Sequence, residues 1–406
     1  MKTNLKSLSE KELSEFIESL GQKPYRTGQI INWIYVKLAA SFDEMTDLPL
    51  SLREVFNKTA YISSISLLKR QISGDGTQKF LFKLEDGETI ESVLIPDNDK
   101  RRLTLCISSQ VGCAMRCGFC VTGKMGFKRN LKAYEIVDQV ISVGRLITQK
   151  SKIPPHPLKI PLCPPLSKGD VGGFLNGGRG DLEIANIVFM GIGEPLNNFE
   201  EVVNALWRLT GTMGFSKKKI TVSTAGIVPG IPELAKKGPG VNLAVSLNAT
   251  TDEIRNKIMP INKKYPLKEL LNACKNFPLP LRRKITFEYV LLDGINDSGQ
   301  DALRLIKLLK GIRAKINLIP YNPIYNPPSP PDNPPTSPFN KGGQRGILKG
   351  GMGGFGFKKP ADAKILAFQK ILINAGITAI IRKSKGEDIK AACGQLRAGY
   401  NIAHSS

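Results

Sequence analysis

Apolar positions along the chain follow two different periods. Between Ser9 and Gly21, Leu13, Phe16, Ile17 and Leu20 recur at intervals of three and four, the face of a helix. Ser9 and Glu12 form a capping box at its start and Gly21 stops it. The next stretch, KPYRTGQIINWIYVK, keeps the helical period, with Ile30, Ile31, Trp33 and Ile34 inward and Tyr25, Arg26 and Lys37 outward. Residues 1–60 are thus expected to form a small helical domain. From Tyr61 the period falls to two. KFLFKLEDGETIESVLIP alternates about Asp86-Gly87, a hairpin signature, so residues 61–102 read as a small β region.

Beyond it, apolar runs in NIVFMGIGEP, KITVSTAG, VNLAVSLNA, KITFEYVLL and KINLIPYN alternate with helical stretches near 133–147, 199–210, 267–276, 298–310 and 361–375. That alternation predicts an α/β core over residues 103–402 with a mainly parallel sheet, either doubly wound or a partial barrel. Polar and glycine residues collect at the C-terminal ends of these strands, where such folds place their sites.

Two segments break the rhythm. Residues 149–181 hold 6 prolines and 6 glycines, and residues 327–359 hold 7 and 8, compositions that cannot build a packed element. Both read as surface insertions. They contribute +3 and +4 to a formal net charge of +23, which leaves +16 on the folded part. So large a basic excess points to a polyanionic partner such as RNA or DNA, with solubility alone as the plainer explanation. Tyr25, Arg26, Lys128, Arg129, Lys217, Lys218, Lys219, Arg282 and Arg283 are candidate contacts.

No apolar run approaches the roughly 18 to 20 residues that span a bilayer, and the opening MKTNLKSLSEKELSEF has no apolar leader. A cytoplasmic protein without a membrane partner is expected, and a monomer. In that reducing compartment the seven cysteines are expected as thiols, metal ligands or catalytic groups. Four of them, Cys106, Cys113, Cys117 and Cys120, fall within fifteen residues. Cys274, in the helical LLNACKN, reads as a small buried hydrophobe, and Cys163 lies in the first insertion.

Cys113, Cys117 and Cys120 are spaced CxxxCxxC with Phe119 before the last. A zinc site needs a fourth ligand, yet no second CxxC exists and the histidines are His156 in an insertion and His404 near the end of the sequence. Three thiolates on one short loop suit a 4Fe-4S cluster with one iron left open. The motif resembles that of the radical S-adenosylmethionine superfamily, whose open iron binds the amino and carboxylate groups of that cofactor.

YRTGQIINWIY, LCISSQVGCAMRCGFC, FMGIGEPLNN, VSTAGIVP, VSLNA, NLIPYN and DIKAACGQL further resemble, in order and context, the 23S rRNA and tRNA adenine C2 methyltransferases. Outside the insertions the likeness covers nearly the whole chain. It implies an α/β fold with a partial (β/α)6 barrel core. It implies two S-adenosylmethionine molecules per turnover: one methylates Cys393, and one is cleaved to a radical that activates the S-methyl group for addition to C2. The base is then tethered to Cys393, Glu91 accepts the C2 proton, and Cys106 attacks the Cys393 sulfur to release the RNA and leave a disulfide. The partners implied are 23S rRNA, tRNA, an electron donor such as flavodoxin or ferredoxin, and a thiol reductant. Cofactor contacts implied by the likeness are Gly193, Glu194, Ser223, Ser246, Leu247, Asn248 and Asn322. Many members of the family read SLHA where this chain reads Ser246-Leu247-Asn248-Ala249, which removes a titratable group at position 248.

The basic run Arg382, Lys383, Lys385 and Lys390 is expected to lower the pKa of Cys393, and Gly394 suits a tight turn. Three alternatives stay open: methylation at C8 of the same adenosine, a nucleic-acid-binding module with a structural metal, and a glycyl-radical activase.

Overall fold

A computed structural model describes residues 2–97, 102–150, 184–323 and 356–396. Nearly all of both proline- and glycine-rich segments therefore lies outside the described residues, as do Cys163, His156 and His404.

The N-terminal unit comprises β1 (Thr3–Asn4), α1 (Glu10–Ser19), α2 (Tyr25–Ile31), α3 (Leu50–Thr59) and β2 (Ala60–Tyr61), with β1 and β2 paired in parallel. Helix α1 carries the expected capping box, Ser9 and Glu12 each satisfying the other's backbone amide. Leu13, Ile17, Ile30 and Ile34 are buried, whereas Ile31 and Trp33 are only half-buried. After α2 the backbone widens into a π turn over Asn32–Val36.

An antiparallel run follows: β3 (Ser66–Ile72), β4 (Gln78–Lys83), β5 (Thr89–Asp97) and β6 (Arg102–Cys106). A small hairpin, β7 (Gln110–Gly112) and β8 (Phe127–Asn130), brackets the one-turn helix α4 (Val121–Lys124). The chain then alternates α5 (Ala133–Lys150), β9 (Ile184–Phe189), α6 (Phe199–Trp207), β10 (Ile220–Thr224), α7 (Gly230–Lys237) and β11 (Asn242–Ser246). It continues through α8 (Asp252–Ile258), α9 (Leu267–Lys275), β12 (Ile285–Leu291), α10 (Gly299–Leu308), β13 (Ala314–Pro320), α11 (Asp362–Asn374) and β14 (Thr378–Ile381). Every strand expected from the sequence is present, and β14, in TAII, is an addition to them.

These strands form one ten-stranded sheet ordered β14-β13-β12-β11-β10-β9-β6-β5-β4-β3, parallel from β6 to β14. The hairpin strands of residues 66–97 thus extend the core sheet. Laid flat, ten strands at about 4.8 Å spacing would hold the two edges roughly 40 Å apart. The chain spans that gap in very few residues. Arg382 N donates to Leu318 O on β13, and Gly386 N donates to Asp75 Oδ2 in the β3–β4 turn at 3.0 Å. Four residues reach at most about 14 Å, so the sheet is curled, as a partial barrel requires. Residues 386–396 form a strap that joins its two margins.

The main hydrophobic core runs from Leu5 to Ala379 and includes both units. At their junction a fully buried Lys6 ammonium pairs with Asp138 on α5. Arg208 donates to Lys6 O and Leu8 O, and Arg145 donates to Leu38 O and Ala39 O. The N-terminal unit is therefore fixed to the back of the helical layer.

Candidate active site

The loop after β7 carries the three spaced cysteines and is held at three points. Cys113 N donates to Gly126 O at 2.7 Å, Gly118 N to Ile258 O of α8 at 2.9 Å, and Val121 N to Gly394 O of the strap at 2.8 Å. Thr122 Oγ1 adds a bond to Leu396 O at 3.0 Å. Glycines permit the close turns: a Cβ on Gly123 would lie 2.9 Å from Cys117 N, and one on Gly112, where φ is +76°, would collide with Gly126 O. Phe357, from the last residues of the second insertion, packs against Gly118 and edge-on to Tyr321.

Burial pushes the Cys113 thiol up to about 12, and raises Cys117 well above the ordinary thiol range, with Cys120 and Cys113 as the next contributors there. Crowded thiols of this kind ionise only when a cation compensates them. Arg255 faces Cys117 from α8 and is 0 % exposed. Its guanidinium donates to Leu247 O, Ser246 O, Ala225 O and Asn262 Oδ1, so it joins the ends of β10 and β11 beneath the loop. No three Cys, His, Asp or Glu side chains converge at metal-binding distance among the described residues. The donor chemistry nevertheless fits a cluster: three thiols from one loop, no competing carboxylate ligand set, and a buried positive charge beside an anionic site.

The strand ends supply the expected cofactor-facing residues. Gly193 has φ +108°, and a Cβ there would sit 2.6 Å from the Gln110 side chain. Glu194 is buried, accepts from Leu196 N at 3.1 Å and Ala225 N at 2.6 Å, and its pKa is raised by burial to about 7. Ser223 and Ser246 are half-buried at the ends of β10 and β11. Leu247 is fully buried and its amide donates to Glu288 O. Asn248 adopts φ +57°, a conformation that asparagine tolerates better than most residues. Its Oδ1 accepts from Val290 N at 2.8 Å and its Nδ2 faces Met259 Sδ, so this side chain is committed to the fold. Asn322 accepts a hydrogen bond from Ser384 Oγ.

Cys106, at the end of β6, is buried beneath the strap with Val93, Ile192, Ala391 and Leu396. Cys393 on the strap is its electrostatic neighbour, and Cys120 is another neighbour of Cys393. Two thiols separated by 287 positions in sequence are thus brought near each other, and one of them, Cys393, neighbours the cluster loop. Cys393 is exposed on the strap, yet partial loss of hydration among its neighbours pushes its thiol up to about 11. Glu288 adds to the rise and Arg382 opposes it only in part. The expected lowering by the basic run is therefore overturned: loss of hydration outweighs the nearby charge. Gly394 takes the tight turn expected of it, at φ +83°.

Glu91, on the inner face of β5, is buried and ion-paired to Lys79 at 3.3 Å. Cys274 is buried in α9, as read from the sequence. Several of the basic candidates are engaged in the fold: Lys128 pairs with Glu88 at 2.8 Å, Arg129 bridges Asp86 and Glu135, Arg283 donates to Gly240 O at 2.7 Å, and Arg26 donates to Gln29 Oε1 at 2.7 Å. Tyr25 stays exposed, with the Arg26 guanidinium 5.0 Å from its ring centre. Sequence reasoning missed Arg255, Lys79 and Glu288.

A curled, largely parallel sheet with a three-cysteine loop at its strand ends defines a radical S-adenosylmethionine enzyme. The profile of the ribosomal RNA large subunit methyltransferase N-terminal domain matches residues 3–62. A dual-specificity RNA methyltransferase RlmN of Pelobacter propionicus is 43% identical over 99% of this chain and 98% of its own. The RlmN of Geobacter sulfurreducens is 45% identical over 97% and 92%. A crystal structure of a radical SAM methyltransferase from Sphaerobacter thermophilus superposes with a TM-score of 0.77 at 37% identity, covering 97% of this chain and 99% of that one. The chain belongs to the dual-specificity RNA methyltransferase family.

Proposed function

We propose that this enzyme methylates C2 of an adenosine in 23S rRNA, and of an adenosine in tRNA, through an S-methyl group carried on Cys393. The observation that supports it best is the hydrogen-bonded contact between the strap and the cluster loop, which sets Cys393 beside Cys120 and over Cys106. A binding module with a structural metal needs neither extra thiol.

Cys113, Cys117 and Cys120 would hold a 4Fe-4S cluster, which together with S-adenosylmethionine would supply the one-electron chemistry that C2, an electron-poor carbon, requires. Glu194 and Gly193 receive the methionine ammonium; Ser223, Ser246, Leu247, Asn248 and Asn322 line the remainder of the cofactor site. Cys393 presents its S-methyl group to the base; its carbon becomes bonded to C2 once one hydrogen atom has been taken from the methyl group by the cleaved cofactor and one electron from the adduct by the cluster, two removals that the bound groups would perform. Glu91 then takes the C2 proton. The Cys106 thiolate attacks the Cys393 sulfur, the sulfur–carbon bond breaks with its electron pair on carbon, and a proton completes the methyl group. A Cys106–Cys393 disulfide is left, and an external dithiol reduces it. The target base must leave its stack to reach this depth.

Residues 1–60 serve as an accessory RNA-binding domain, and flavodoxin or ferredoxin is the electron donor. The protein acts as a cytoplasmic monomer.

The test is peptide mass spectrometry after anaerobic reconstitution with iron, sulfide, reductant and S-adenosylmethionine. One added methyl group on Cys393 is expected. An unmodified Cys393 in protein that still cleaves the cofactor would overturn the reading. Nucleoside analysis of the RNA product separates 2-methyladenosine from 8-methyladenosine.

A further inference from the structure

Lys79, Val93, Cys106 and Val188 form one row across β4, β5, β6 and β9, opposite one another on the inner face. Glu91 lies two residues before Val93 on that face, diagonal to both Lys79 and Cys106. The Lys79 ammonium is 3.3 Å from Glu91 Oε1 and donates to Lys390 O at 3.2 Å. Both side chains are nearly closed to water, 9 % and 6 % exposed. Burying an ammonium costs several kcal/mol unless it is paired and hydrogen-bonded, so its position is tightly specified. Lys390 is itself constrained, at φ +53°; the strap is pinned before it by Gly386 N to Asp75 Oδ2 and closed into a turn around it by Ala391 N to Gly386 O.

We propose that Lys79 is a positioning residue for release of the methylated base: one ammonium holds the Glu91 carboxylate in register with the strap that carries Cys393. The inference rests on the reading of Glu91 as acceptor of the C2 proton. Lys79 takes no proton from the substrate. It fixes where the acceptor sits relative to the carbon bonded to Cys393, and a shift of about 1 Å at such a site can slow a step by about 100-fold.

The test uses the full chain, reconstituted anaerobically, with S-adenosylmethionine, reductant and an rRNA hairpin. Three quantities are followed: methyl on Cys393 by mass spectrometry, covalent protein–RNA adduct on a denaturing gel, and released methylated RNA. Lys79→Met is expected to keep Cys393 methylation within about twofold of the parent, slow release about tenfold or more, and accumulate adduct. Lys79→Arg restores most of the release, because a guanidinium reaches the same two oxygens. Should Lys79→Met fail to fold, Lys79→Gln keeps a donor for Lys390 O without the charge and takes its place. Release at the parental rate overturns the proposal, as does loss of Cys393 methylation in step with release, which would make Lys79 a tether of the strap alone. Glu91→Gln separates the two levels. If it traps adduct and the Lys79 variants do not, this inference falls by itself; if it releases RNA freely, the role of Glu91 falls first.

Discussion

Val121, next to the last cysteine of the cluster loop, donates its backbone amide to the carbonyl of Gly394, next to Cys393, at 2.8 Å. The strap that carries Cys393 and the loop that carries the three spaced cysteines are thus joined by main chain as well as by side chains.

Removing the Cys106 thiol leaves nothing to cleave the bond between Cys393 and the base. Cys106→Ala is expected to methylate Cys393 normally, couple to one RNA per chain and stop. A denaturing gel should show a stable protein–RNA species in near-stoichiometric yield, and turnover beyond the first should vanish. Free product from this variant would remove Cys106 from the reaction.

Burial raises the Glu194 carboxyl from 4.5 to about 7. Between those values the folded chain holds a proton that the unfolded chain has lost, so this group's contribution to stability declines as pH rises through the window. On the proposed function, cofactor binding runs the other way, since a ligand for an ammonium must be ionised. From pH 6 to pH 8, affinity of the reconstituted protein for S-adenosylmethionine should rise about tenfold by titration calorimetry, as the ionised fraction does. Glu194→Gln should bind more weakly and with little dependence on pH; an unchanged profile would dismiss Glu194 as the ammonium ligand.

Arg255 satisfies four acceptors from a fully buried position. Lysine keeps the charge but cannot match the fork. Arg255→Lys is expected to cost about 2 to 4 kcal/mol in a denaturant melt and to lower iron retained per chain after reconstitution. Parental stability and iron content would show that the geometry of the guanidinium is dispensable.

Lys6 and Asp138 pair across the junction of the N-terminal unit and the core, and one Asp138 oxygen has no other partner. Burial lowers the Lys6 pKa and raises that of Asp138, so each depends on the other to stay charged. Lys6→Met should destabilise the chain by about 3 to 5 kcal/mol by stranding the carboxylate. Adding Asp138→Leu should recover much of that loss, and equal melting of the single and double variants would show that the pair is not coupled.

Strands β9 to β13 were legible in the sequence because central parallel strands are buried on both faces and read as unbroken apolar runs. The short β14 escaped notice: TAII is four residues long and follows directly on α11, so no period had room to show. The cluster cysteines were legible because their spacing is local. Arg255 was not. DEIRNKI reads as an ordinary charged helix, and only the fold reveals three strand-end carbonyls around that one side chain. Lys79 and Glu91 sit at ordinary alternating positions, yet the neighbour that gives the pair its meaning, Lys390, lies 311 residues from Lys79. The raised thiol of Cys393 was illegible for the same reason: charge can be counted along a chain, whereas dehydration is set by what folds around it.

The two proline- and glycine-rich segments leave the fold at places with different exposure to the chemistry. Residues 150 and 184 lie between a helix end and the start of β9, away from the strand ends that carry the cysteines. Residues 323 and 356 lie at those ends: Gln395 donates to Pro323 O, and Phe357 presses on Gly118 within the cluster loop. In evolutionary terms the first junction is free to lengthen or shorten, because no catalytic atom reads its length. The second adjoins the cysteine loop, where, on the proposed function, every added or deleted residue is weighed by the same selection that acts on the reaction.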